Sequence, residues 1–98
     1  MPKFVMLSSL GPDGYAKLVD SPERLLEVND DVESMGVKVL AQFALLGQYD
    51  FLNILEAPDE VTMARVATLL ASRGTLKTVT LPAIDVEEYI AAMRGLGS

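Results

Sequence analysis

The chain has 98 residues, half of them hydrophobic, with 14 Asp and Glu against eight Lys and Arg, giving a net charge of −6. This length makes one domain, and the acidic balance argues against nucleic acid and anionic membrane surfaces, which both reward Lys and Arg. There is no cysteine and no histidine. That excludes disulfides, thiolate nucleophiles, His-ligated haem, zinc hydrolase sites of the usual kind and every Ser-His or Cys-His machine. No metal and no cofactor are therefore expected.

The N-terminus carries no long apolar segment of the signal-peptide kind. No apolar run reaches the length of a membrane span, so the expectation is a cytoplasmic protein. Residues 3–9 form a first predicted strand around Phe4, Val5, Met6 and Leu7. Gly11-Pro12-Asp13-Gly14 is a predicted turn, with a short helical turn over 15–19. Ser21-Pro22-Glu23-Arg24 marks a helix start: Ser21 suits the N-cap and Pro22 the first helical position. Leu25, Val28, Val32 and Met35 then share one side at helical spacing. Gly36 follows as the C-terminal stop.

Two β-prone apolar runs, 37–46 and 50–57, flank the polar break Gly47-Gln48-Tyr49-Asp50 and are predicted to be antiparallel strands joined by a tight turn. Asp59 caps a second predicted helix running to Arg73, with Val61, Ala64, Ala67 and Leu70 beside Met63 and Val66 on its apolar face. Residues 75–81 form a fourth strand, closed by Pro82. Asp85-Val86-Glu87-Glu88 suits a capping box for a short last helix, with Tyr89, Ile90 and Met93 facing inward. Residues 95–98 are expected to fray. The order β-α-β-β-α-β plus a terminal helix is an α+β, ferredoxin-like arrangement in a single domain over 1–98.

In that arrangement both helices cover one face of the sheet. Alternation along the strands assigns Val5, Leu7, Val37, Val39, Leu52, Ile54, Val79 and Leu81 to the helix side. The free face then carries Phe4, Met6, Ser8, Lys38, Leu40, Gln42, Ala44, Phe51, Asn53, Leu55, Thr78 and Thr80. A bulge in either hairpin strand would swap these lists from that point onward. Large apolar groups left wet would forgo several kcal/mol at about 25 cal/mol per Å², so homo-oligomerisation through the free face, as a dimer in the simplest case, is expected.

The chain resembles the GYD-domain family, small proteins named for a Gly-Tyr-Asp signature. The resemblance rests on Ala41-Gln42-Phe43-Ala44-Leu45-Leu46-Gly47-Gln48-Tyr49-Asp50-Phe51 and Glu56-Ala57-Pro58-Asp59. Ser21-Pro22-Glu23-Arg24, Val28-Asn29 and Thr80-Leu81-Pro82-Ala83 support it. It implies a ferredoxin-like fold of the dimeric α/β-barrel kind, usually homo-oligomeric, and no general biochemical activity.

Tyr49 and Asp50 are the candidate catalytic pair: Asp50 to accept or orient a proton, Tyr49 to donate to a ligand. The competing structural reading has Asp50 binding backbone amides of the turn, which accounts for Gly and Asp together. Ser8, Gln42, Asn53, Thr78 and Thr80 are the candidate ligand-binding set, donors among apolar walls between sheet and partner. The alternative has them bonding one another across a dimer interface. The acidic residues Glu27, Asp30, Asp31 and Glu33 point in several directions on a helix and suit a solvated face. Three functions stay open: a small homo-oligomeric protein holding an apolar or amphipathic ligand, a cofactor-independent oxygenase or isomerase, and a protein-binding regulatory module.

Overall fold

The computed structural model describes residues 1–74 and 76–97. The elements are β1 (Lys3–Leu10), α1 (Pro12–Asp20), α2 (Arg24–Ser34), β2 (Lys38–Ala44), β3 (Phe51–Glu56), α3 (Glu60–Ser72), β4 (Leu76–Ala83) and α4 (Val86–Met93). The strands form one antiparallel sheet in the order β2-β3-β1-β4. With α2 and α3 packed on one side, this is a ferredoxin-like α+β sandwich. Position 75 of the predicted fourth strand and position 98 of the tail lie outside the described residues.

Local chemistry explains where the elements start. Asp59 caps α3 as expected, its carboxylate accepting from the Thr62 amide at 2.7 Å. That bond holds the Asp59 carboxyl below its ordinary pKa, so the cap is fully formed at neutral pH and fades as acid protonates it. Gly36 ends the segment after α2 with φ +90°, a left-handed conformation that glycine adopts without a Cβ penalty. The Gly11-Pro12 segment is no turn. Gly11 is extended and Pro12 opens α1, where its missing N–H leaves nothing unsatisfied. Ser21 ends α1 instead of capping α2: its amide donates to the Lys17 carbonyl at 2.9 Å, and α2 starts only at Arg24. The strands β2 and β3 are joined by the longer connection 45–50 in place of a tight turn. Pro82 lies inside β4, an edge strand that tolerates a residue without an N–H.

The core reverses the face assignment of three strands. Phe4, Met6 and Ser8 of β1 are buried with Phe51 and Leu55 of β3, against Val32 of α2 and Met63, Val66 and Leu70 of α3. The open face instead carries Val5, Leu7, Leu52, Ile54, Val79 and Leu81. On β2, Val37 and Val39 face the helices as expected, but a register shift between Val39 and Ala41 leaves Leu40 unpaired. Beyond this bulge Gln42 turns to the helix side, and Phe43 to the open one. On α3 the buried stripe is Met63, Val66 and Leu70, while Val61 and Ala64 are exposed.

The last helix departs furthest from expectation. No residue of α4 is buried, and Tyr89, Ile90 and Met93 are all exposed. Asp85 makes an ion pair with Lys3 at 2.8 Å in place of the expected capping box. With this C-terminal arm the molecule measures 57 × 29 × 19 Å.

Candidate functional site

Asp50 ties the hairpin to the first strand and helix. Its amide donates to the Ser8 carbonyl at 2.8 Å, and its own carbonyl accepts from the Leu45 amide at 2.7 Å. Its carboxylate accepts from the Leu10 amide at 2.7 Å and from the Tyr15 hydroxyl at 2.7 and 2.8 Å. The Asp50 side chain thus bonds a strand end and a helix far away in sequence, and not amides of its own turn. It pins the two residues that flank the 11–14 segment, and so sets how α1 leaves β1. The bond to Asp50 raises the pKa of the Tyr15 phenol above its ordinary value. The tie is therefore intact below the usual tyrosine range near pH 10 and is lost as pH rises past the raised pKa.

Tyr49 is half-buried next to Asp50, but the tyrosine that bonds the Asp50 carboxylate is Tyr15. Tyr15 is the partner that sequence reasoning missed; its place one turn into a helix that starts at Pro12 was the available signal. Replacing Asp50 by Ala leaves the Leu10 amide without its acceptor. The expected loss is about 1–3 kcal/mol of stability, read by urea unfolding. Asp50→Asn, which can still accept from Leu10 and donate to Tyr15, is expected to lose less.

Ser8, Gln42, Asn53, Thr78 and Thr80 do share one sheet face, but it is the helix-covered one. Across the sheet, Gln42, Asn53, Met6 and Thr80 form one row; Ala44, Phe51, Ser8 and Thr78 form the next. Gln42 and Asn29 of α2 exchange two hydrogen bonds, at 2.9 and 3.1 Å. Asn53 Oδ1 and Thr80 Oγ1 are buried with no hydrogen-bond partner among the described residues. A buried hydroxyl without a partner costs free energy that an isosteric methyl does not. Thr80→Val is thus expected to stabilise the protein by about 1 kcal/mol, a rise of roughly 4–8 °C in Tm for a domain of this size.

The open face has a different pattern. Its first row, across β2, β3, β1 and β4, is Lys38, Glu56, Lys3 and Ala83. The second is Ala41, Ile54, Val5 and Leu81, and the third Phe43, Leu52, Leu7 and Val79. Ser9 and Lys77 follow at the far end. Two apolar rows therefore lie between polar margins, with Phe43 54 %, Leu81 49 % and Val79 42 % exposed. A contiguous apolar patch with a polar rim is the mark of an interaction surface. The bulge at Leu40 is what brings Phe43 onto it.

Among the described residues, no three His, Cys, Asp or Glu side chains are grouped to hold a metal ion, and no helix is long and apolar enough to cross a membrane.

A family model described as the GYD domain matches residues 4–93. The chain belongs to the GYD-domain family. The hairpin that carries the signature is, in this GYD-domain protein, the segment through which Asp50 reaches Leu10 and Tyr15. The chain is also similar to a protein of Thermus thermophilus named as a glutamine synthetase and cystathionine beta-lyase binding protein. The two are 52% identical over 95 residues, covering 96% of this chain and all of the relative.

Proposed function

We propose that this GYD-domain protein is a protein-binding module. Its open sheet face pairs with a second copy in the dimeric α/β-barrel manner, and the assembled pair docks onto metabolic enzymes. The observation that carries the reading is the double apolar row between Lys38–Glu56–Lys3 and Ser9–Lys77. The row Lys38–Glu56–Lys3 holds both signs of charge and suits a twofold contact, in which the same patch meets itself.

The exposed apolar side chains of Ile84, Val86, Tyr89, Ile90 and Met93, in and just before α4, are read as extending the same contact.

The likeness to the Thermus protein supports a further partner and names the first enzymes to test. An oxygenase or isomerase reading would use the Asp50 carboxylate, and that group is engaged by Leu10 and Tyr15. The five polar residues of the helix-covered face are read as structural, running from the buried Ser8 to the exposed Gln42, which is held by Asn29.

The test is sedimentation velocity with purified glutamine synthetase and purified cystathionine beta-lyase from the same organism. Co-sedimentation of the chain with either enzyme is expected. Independent sedimentation from both at micromolar concentrations would overturn the proposed enzyme docking.

A further inference from the structure

At the end of the sheet where β1 finishes and β4 begins, α1, α2 and the end of α3 line a half-open cavity of about 330 Å³. This is the small end of the range for ligand pockets, about 300–1,000 Å³. The cavity lies on the helix side, away from the open face and at the opposite end of the sheet from the root of α4. Its apolar lining includes the half-buried Leu18 and Leu25 and the buried Leu70; Lys17, Arg24 and Arg73 line it as exposed side chains.

Three of the eight basic residues of a chain with net charge −6 thus meet at one small concavity. Arg73 is held by Asp31 at 3.1 Å. Lys17 and Arg24 have no ion-pair partner among the described residues. Positive groups at the edge of a low-dielectric hollow attract an anion and orient it. The guanidinium of Arg24 presents a planar fork that matches a carboxylate, while the leucines reward an apolar body.

We propose that this cavity is a binding site for a small amphipathic anion, a carboxylate with an apolar tail. Its head sits between Lys17 and Arg24, and its tail lies on Leu18, Leu25 and Leu70. The Asp50–Tyr15 tie is a positioning element for the site, because it orients the helix that carries Lys17 and Leu18. The site is independent of the proposed pairing and of enzyme docking.

Octanoate is the probe, titrated calorimetrically into the full chain. One octanoate per chain is expected. Lys17→Gln combined with Arg24→Gln changes two exposed side chains and is expected to weaken binding by about tenfold or more, with thermal unfolding unchanged. Leu25→Trp, which fills the hollow, is expected to abolish it. The proposal is overturned if octanoate fails to bind at millimolar concentration, if the double variant binds it as tightly as the native chain, or if octylamine binds equally well.

Discussion

Leu7→Glu is expected to convert the proposed dimer into a folded monomer. Leu7 lies on a central strand, in the middle of the row Phe43–Leu52–Leu7–Val79. In a twofold contact each copy would contribute one such carboxylate to an apolar surface with no partner for it. Burying a charge unpaired costs several kcal/mol. A cost of about 4 kcal/mol raises the dissociation constant of the pair by roughly a thousandfold. The fold itself is expected to survive, because Leu7 is only half-buried on the single chain and points away from the core. Sedimentation equilibrium should then give the 10.6 kDa of one chain, with an unchanged far-ultraviolet spectrum. An unchanged assembly would refute the role given to the open face.

Phe4→Ala is expected to destabilise far more than Val5→Ala when both are made in the Leu7→Glu background. Phe4 is 3 % exposed and packs in the core cluster with Met6, Leu55, Met63 and Val66. Removing a buried phenyl ring costs about 3–5 kcal/mol, through lost transfer energy and the cavity left behind. That is a large part of the 5–15 kcal/mol typical of a whole domain. Val5 is its neighbour on the opposite face and only half-buried in the monomer, so its truncation should cost about 1 kcal/mol. Urea unfolding of the two variants reads the difference directly. Equal losses, or a larger one at Val5, would restore the face assignment made from alternation alone.

That pair of residues shows why the order of the elements was legible and the faces were not. Gly36, Asp59 and the apolar runs mark the elements locally, through backbone chemistry that needs no tertiary contact, whereas Pro12 opens a helix where a turn was expected. Phe4, Val5, Met6 and Leu7 are apolar without a break, because one face meets helices and the other makes an apolar open surface. Alternation then carries no sign. The polar residues Ser8, Asn53 and Thr80 pointed the wrong way, since they lie on the helix side, Ser8 buried and the other two half-buried with one buried, unpartnered polar atom each. The bulge at Leu40 exchanged the faces once more along β2.

Tyr89, Ile90 and Met93 do form an apolar stripe, and helical spacing shows the stripe without showing what covers it. The site followed the same division. Asp50 stood out through its turn-like surroundings, but its partner Tyr15 is 35 residues away. Lys17, Arg24 and Arg73 are separated in sequence, and they line one cavity only because α1 and α2 fold back towards the end of α3.

The open sheet face as a covered protein-binding surface is tested most directly by thiol labelling, since the chain has no native cysteine. Ile54→Cys places a single thiol in the apolar rows, and Leu46→Cys places one on the exposed 45–50 connection. With the native chain as background, a maleimide is expected to react slowly at position 54 and fast at 46. Adding Leu7→Glu should make position 54 fast as well. Equal, fast labelling at both positions without Leu7→Glu would show the face standing open to water and would contradict the account.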